Sequence, residues 1–144
     1  MSQFRAEGTF EVASFDAVSV PPPVAITTAM ETGIATMEKR YAGEVLGRSA
    51  TLFTSVRNAD SGAASYVALE SFEGSLNGVT GSFNFVHAAS THGDDRYGEF
   101  FSLVDASGTD GLAGSRGEDG LMAHEWSSSS RGVRCEPVRT MSHR

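Results

Sequence analysis

Hydrophobic and polar residues alternate along much of this chain, and the alternating segments are rich in β-branched and aromatic side chains. A two-residue period places successive side chains on opposite faces and predicts β-strands. The predicted strands are Gly8–Phe15, Val24–Met30, Ile34–Tyr41, Ala50–Val56, Ser65–Glu73, Gly81–Ala89, Glu99–Ala106 and Leu121–Trp126, with Val133–Val138 as a further candidate. Short strands at regular spacing, separated by turn-forming residues, favour a β-sandwich or a β-barrel.

The segment from Ser65 to Ala89 predicts a hairpin with a defined register. Asn77-Gly78 is the preferred central pair of a type I′ turn, which places Leu76 opposite Val79. Every later pair follows, and directly opposed residues share a face of the sheet. One face carries Tyr66, Ala68, Glu70, Phe72, Phe83, Phe85 and His87, and the other is serine-rich, with Val67, Leu69 and Val86 as exceptions. We expect the aromatic face to point inward.

Length and composition agree with a small globular β protein. The 144 residues suggest one domain, 1–144, with a core over about 6–126 and an arginine-containing C-terminal segment, 127–144, as a closing strand or cap. The 16 glycines suit a chain with many tight turns. The triple proline at 21–23 fixes an extended corner and blocks any ladder through it.

The charge of the chain limits its partners. A net charge of −7 argues against nucleic-acid and anionic-membrane binding, which need a basic surface. The arginines of the last 18 residues are typical of a solvated terminus. The single cysteine, Cys135, excludes an internal disulfide, and no signal peptide or long apolar run is evident, so we expect a cytoplasmic protein.

Two ionisable residues of the predicted inner face are the candidates for chemistry. Glu70 and His87 lie diagonally across adjacent strands, within reach of long side chains. A carboxyl group and an imidazole that share a proton in apolar surroundings suit general acid–base catalysis, and Tyr66 could donate a hydrogen bond to an oxyanion. Ala68 and the neighbouring phenyl rings of Phe72, Phe83 and Phe85 would line a ligand site. The alternative is a buried polar cluster whose members satisfy each other.

Other residues carry weaker signals. Lys39 lies in the run Glu38-Lys39-Arg40, which is usually a solvated edge. His92, Asp94 and Asp95 are explained by a turn, so no metal is expected. The glycine-rich stretch 108–117 lacks the features of a phosphate loop, and no cofactor is implied.

Several motifs resemble an uncharacterised bacterial family, domain of unknown function 3224, over roughly residues 6–118. They are Gly8-Thr9-Phe10-Glu11-Val12, Tyr41-Ala42-Gly43 with Gly47, Ala64-Ser65-Tyr66-Val67-Ala68-Leu69-Glu70, Gly74, Gly78, Gly81-Ser82-Phe83, His87, Ser107-Gly108-Thr109, Gly111-Leu112-Ala113-Gly114 and Arg116-Gly117. The resemblance implies a small antiparallel eight-stranded β-barrel like that of allene oxide cyclase, a fold known for cofactor-free cyclases of oxylipin and natural-product pathways. The chain departs from the family pattern at Thr109-Asp110-Gly111 and from Ser127 onward, where the family's closing tyrosine-rich strand is not evident.

Three hypotheses for function follow. The first is a cofactor-independent cyclase or isomerase that holds a small, largely apolar molecule in the barrel. The second is a non-catalytic carrier or sensor of such a molecule. The third is a structural protein whose barrel interior is filled by phenyl rings, because an eight-stranded barrel is just wide enough either to be filled or to hold one ligand. Homo-oligomerisation is left open by the sequence.

Overall fold

The structure is a computed structural model that describes residues 3–4, 6, 8–117, 133–135 and 141–142. Six long strands dominate it: β2 (Gly8–Val18), β3 (Glu31–Gly43), β4 (Val45–Arg57), β5 (Ala63–Leu76), β6 (Val79–His92) and β7 (Asp95–Leu103). Four short strands are β1 (Gln3–Phe4), β8 (Arg116–Gly117), β9 (Val133–Cys135) and β10 (Met141–Ser142). One 3₁₀ turn, Asp110–Leu112, is the only helix of the described residues, so none there is long and apolar enough to span a membrane.

The strands form antiparallel sheets, as the alternation predicts. The larger sheet has the order β7-β6-β5-β4-β3-β2-β9, and β10 lies between β1 and β8 in a small second sheet. Within the described residues, β7 and β9 are opposite edges of the larger sheet and do not pair. The prediction of a closed eight-stranded barrel is therefore wrong, because these residues form one open sheet.

One predicted strand is absent from the ladder. Val24–Met30 is irregular and exposed, and Ile26 is 78% accessible. The prolines before this segment prevent strand pairing, and the Thr28 side chain turns the chain through hydrogen bonds with the backbone of Met30. Six predicted strands are confirmed; five extend to or beyond both predicted ends, whereas the sixth, predicted as Glu99–Ala106, begins earlier, at Asp95, and ends earlier, at Leu103. The predicted strand Leu121–Trp126 lies outside the described residues, as does the end of Val133–Val138.

The predicted β5–β6 hairpin is confirmed pair by pair, from Leu76 opposite Val79 to Tyr66 opposite Ala89. Asn77 and Gly78 have φ angles of 49° and 81°, the left-handed values that a type I′ turn requires. The aromatic face of this hairpin is buried, whereas Val67 and Leu69 on the other face are 55% and 45% exposed. The turn therefore fixes which side chains face the core.

The core lies on one face of the large sheet. A run of aromatic rings with centroids 5.0–6.0 Å apart crosses it from β2 to β7, through Phe10, Tyr41, Phe72, Phe83, Phe85 and Phe101. No helical layer covers this face in the described residues, and its buried aromatic side chains pack against one another. We call this side the inner face.

A row of glycines allows tight packing at one end of the inner face. Gly47, Gly74 and Gly81 lie opposite each other on β4, β5 and β6. A Cβ atom on Gly74 would lie 2.0 Å from the carbonyl oxygen of Leu46, and one on Gly81 would lie 2.3 Å from that of Thr109. The 3₁₀ turn packs against this row and buries the Leu112 side chain completely.

Candidate functional site

Glu70 is the centre of a buried polar cluster on the inner face. The residue is 0% exposed, and it lies opposite Thr51 on β4. Its Oε1 atom accepts hydrogen bonds from Lys39 Nζ at 2.8 Å, Thr51 Oγ1 at 2.8 Å and Ser49 Oγ at 3.2 Å. The Tyr41 hydroxyl lies 3.1 Å from Ser49 Oγ and extends the cluster toward the aromatic rings. We call Lys39, Ser49, Thr51 and Glu70 the carboxylate cluster.

The prediction that Lys39 lies on a solvated edge is wrong. Its side chain is 7% exposed, and its ammonium forms an ion pair with Glu70 and lies 4.9 Å from the centroid of the Phe10 ring. Glu38 and Arg40 bond to each other at the outer surface. Successive residues of a strand point to opposite faces, so Lys39 points inward when Glu38 and Arg40 point outward. The two-residue period of β3 could therefore have predicted its position.

His87 belongs to a second cluster, formed with Tyr66 and Arg96. The Tyr66 hydroxyl lies 3.2 Å from His87 Nε2, and Arg96 Nη2 donates to the Tyr66 hydroxyl and lies 3.3 Å from the same nitrogen. Arg96 cannot accept a hydrogen bond, so we assign His87 Nε2 as the acceptor and place the imidazole proton on Nδ1. Arg96 is held by an ion pair with Glu99.

The environment keeps the imidazole neutral. Burial, followed by the positive charges of Lys39 and Arg96, lowers the pKa of His87 to about 3. Burial also raises the pKa of Tyr66, although Arg96 opposes that effect. At neutral pH, Tyr66 is therefore a protonated hydroxyl and His87 a neutral hydrogen-bond acceptor.

Glu70 and His87 do not share a proton as the sequence suggested. Both are on the inner face, as predicted, but Glu70 bonds toward β3 and β4, and His87 toward β5 and β7. A directly opposed partner such as Thr51 is closer than a diagonal one, and the ammonium of Lys39 attracts the carboxylate. The two side chains therefore belong to separate hydrogen-bond networks on the same face, and their role in catalysis stays a prediction.

The predicted lining residues fall into two groups. Phe72, Phe83 and Phe85 pack into the aromatic run, where ring contacts fill the inner face near the glycine row. Ala68 is 1% exposed and lies between Phe53 and His87 on neighbouring strands. Along β5, the inner neighbour of Glu70 is thus the small Ala68 on one side and the aromatic Phe72 on the other.

A second aromatic run leads from the surface to His87. Phe15 is 58% exposed, and its ring centroid lies 6.0 Å from that of Phe53. Phe53 stacks on Tyr66 at 5.1 Å, and Tyr66 meets His87 edge-on at 5.3 Å. The run forms an apolar wall from solvent to the buried polar groups.

One atom of the carboxylate cluster lacks a hydrogen bond. Glu70 Oε2 is buried and has no partner among the described residues, whereas Oε1 accepts three hydrogen bonds. A buried carboxylate oxygen without a donor is costly and uncommon. The arrangement leaves one acceptor open on the inner face.

Sequence reasoning missed Arg96, because the strand that carries it begins at Asp95 and not at the predicted Glu99. It also missed Ser49 and Thr51, which lie opposite Phe72 and Glu70. His92, Asp94 and Asp95 surround an exposed turn, and none of the described residues forms a cluster of three or more metal-binding side chains.

The fold and the site define an all-β, antiparallel protein whose large open sheet carries a buried ion pair on its inner face. The chain belongs to the DUF3224 family of proteins of unknown function, whose profile matches residues 6–131. It is also similar to the crystal structure of a protein of unknown function from that family, from Shewanella oneidensis MR-1, with a TM-score of 0.78 and 23% identity over 99% of each chain. That likeness shows the fold alone. No curated protein matches the sequence.

Proposed function

We propose that the inner face binds a small, largely apolar molecule through one polar group that donates a hydrogen bond to Glu70 Oε2. The observation that carries this proposal is the open acceptor of a fully buried carboxylate. A ligand hydroxyl or amine would satisfy that oxygen, and phenyl rings and alanines would contact the rest of the molecule. The wall from Phe15 to His87 gives an apolar approach from solvent.

The same groups suit proton-transfer chemistry without a cofactor, as in a cyclase or isomerase. Glu70 Oε2 is the acceptor for a ligand proton, and the ion pair with Lys39 fixes the carboxylate through Oε1. The Tyr66 hydroxyl, polarised by Arg96, would turn its proton from His87 Nε2 toward a developing oxyanion. His87 is a weak base because its pKa is about 3, so we assign it an orienting role beside Tyr66.

Native mass spectrometry of the protein from its own host, compared with the denatured spectrum, tests the binding. A small molecule that is released on denaturation supports the proposal, and its structure shows whether a precursor or a cyclised product is held. A clean apo mass together with no saturable uptake of 1-aminoanthracene, an apolar fluorophore with an amine donor, would instead favour a filled structural core.

A pair of variants on one strand locates the site. Glu70→Gln leaves the shape of the side chain but removes the charge, so we expect about 10-fold weaker binding of the amine probe, since hydrogen bonds to charged groups contribute about 1.5–3 kcal/mol. Glu73→Gln is the control, because Glu73 lies three residues away on the outer face and bonds to Arg48. Equal binding by both variants would contradict the assignment of Glu70. If the natural molecule is converted by the protein, Glu70→Gln should stop turnover.

A further inference from the structure

The outer face of the sheet carries an apolar patch that the proposed ligand site does not use. Leu52, Leu69 and Val86 oppose each other on β4, β5 and β6, and Val67, Ala88 and Phe100 form the adjacent row on β5, β6 and β7. Directly opposed residues share a face, so these six side chains are contiguous. We call them the outer apolar patch.

The large members of this patch are strongly exposed. Leu52 is 60%, Val67 55%, Leu69 45% and Phe100 55% accessible. With roughly 150–200 Å² for a fully exposed residue of this size, they present about 400 Å² of mostly apolar surface, within the range of functional patches on proteins. Burial of such an apolar area against a partner protein is favourable.

The neighbours of the patch along its own strands are uncharged. Outward-facing neighbours on the same strands are Ala50, Thr54, Ser65, Ser71, Asn84, Ser90 and Ser102, in a chain in which 20% of residues are charged. Ser65 bonds to Ser90 and Asn84 bonds to Ser71, so part of this rim satisfies its own polar groups. An apolar centre without charges and a polar rim are typical of protein–protein interfaces.

We infer that the outer apolar patch is the interface with a second copy of this chain, related by a two-fold axis near Leu69. Two copies that each carry a net charge of −7 repel each other, and a patch without charges is where they approach at least cost. The apolar patch and its rim together approach the roughly 800 Å² per partner of a stable interface. A sheet face also packs readily on its own copy at about 10 Å, which suits a two-fold dimer.

Sedimentation velocity of the full chain tests this inference. We expect a dimer at micromolar concentration and at least about 100-fold weaker association for Leu69→Glu, because the interface would bury an unpaired carboxylate. Thr9→Glu is the matched control, since Thr9 is an exposed strand residue near the start of β2, opposite Ala42 and remote from the patch. Val67→Lys is a second patch variant if Leu69→Glu does not fold by circular dichroism.

A mixing experiment separates an interface from a general effect of charge. Leu69→Glu and Leu69→Lys should each be monomeric, and an equimolar mixture should recover dimers, because opposite charges then meet near the axis. A wild-type monomer at about 100 μM, an unchanged dimer in both patch variants, or a mixture that remains monomeric would each overturn the inference.

Discussion

The buried ion pair gives a quantitative test of the structure. Lys39→Met removes the ammonium but keeps most of the side-chain volume, so Glu70, which is 0% exposed, loses its counter-ion. Removing one partner of a buried pair costs about 3–5 kcal/mol, because the other charge remains desolvated. With a urea m-value of about 1.5 kcal/mol/M, the unfolding midpoint should fall by roughly 2–3 M.

The double variant Lys39→Met/Glu70→Gln should recover much of this loss. A glutamine carbonyl still accepts hydrogen bonds from Thr51 and Ser49, and no unpaired charge remains. Urea unfolding followed by far-UV circular dichroism should give a coupling free energy of at least about 2 kcal/mol.

The exposed pair Arg48–Glu73 is the control, since its side chains are 68% and 61% accessible and it joins β4 to β5 on the outer face. Arg48→Met should leave the midpoint nearly unchanged, because exposed ion pairs contribute little. Lys39→Met could instead lower the midpoint as little as Arg48→Met, or the effects of Lys39→Met and Glu70→Gln could simply add. Either result would show that Lys39 and Glu70 do not form a desolvated ion pair.

Two further predictions concern His87 and the glycine row. The pKa of His87 is about 3 in the folded protein against 6.5 ordinarily, so the unfolded chain takes up the proton first as pH falls. The neutral imidazole contributes fully to the free energy of unfolding above about pH 6.5, and this contribution is lost as the pH falls toward 3. His87→Gln should therefore flatten the pH dependence of the urea midpoint between pH 4 and 8. An NMR titration of His87 with a midpoint near 6.5 would refute this prediction. Gly74→Ala should lower the stability by more than about 2 kcal/mol, because its Cβ would meet the Leu46 carbonyl oxygen at 2.0 Å, whereas Gly33→Ala, with 3.8 Å to the nearest atom, should be neutral in thermal unfolding. Equal effects of the two substitutions would show that the row of glycines is not tightly packed.

The hairpin was predictable because its turn chemistry is local. Asn77-Gly78 permits few turn geometries, and once Leu76 opposes Val79 the two-residue period assigns every inner and outer side chain of both strands. That assignment placed Glu70 and His87 on the inner face correctly. The register within one hairpin thus follows from a few residues.

The partners of those residues were not predictable, because they come from other strands. Lys39 is 31 residues from Glu70, and Arg96 is 30 residues from Tyr66, and both contacts depend on the pairing of several strands. Val24–Met30 has strand-like composition, but only a neighbouring strand could stabilise it, and the triple proline and the chain path prevent that. Long-range pairing also decides whether a sheet closes, which explains the incorrect barrel prediction.

Under the proposed function, the carboxylate cluster serves binding rather than stability. A protein with a buried ion pair is rarely more stable than one with apolar residues of similar size in its place. Here one carboxylate oxygen also lacks a hydrogen-bond donor. The variant Lys39→Met/Glu70→Gln separates the two explanations, because it preserves the hydrogen bonds from Thr51 and Ser49 but removes both charges. If its stability is near that of the wild type while the amine probe no longer binds, the charges serve the ligand. If it unfolds easily and still binds the probe, the pair holds the sheet together and the ligand contacts other residues.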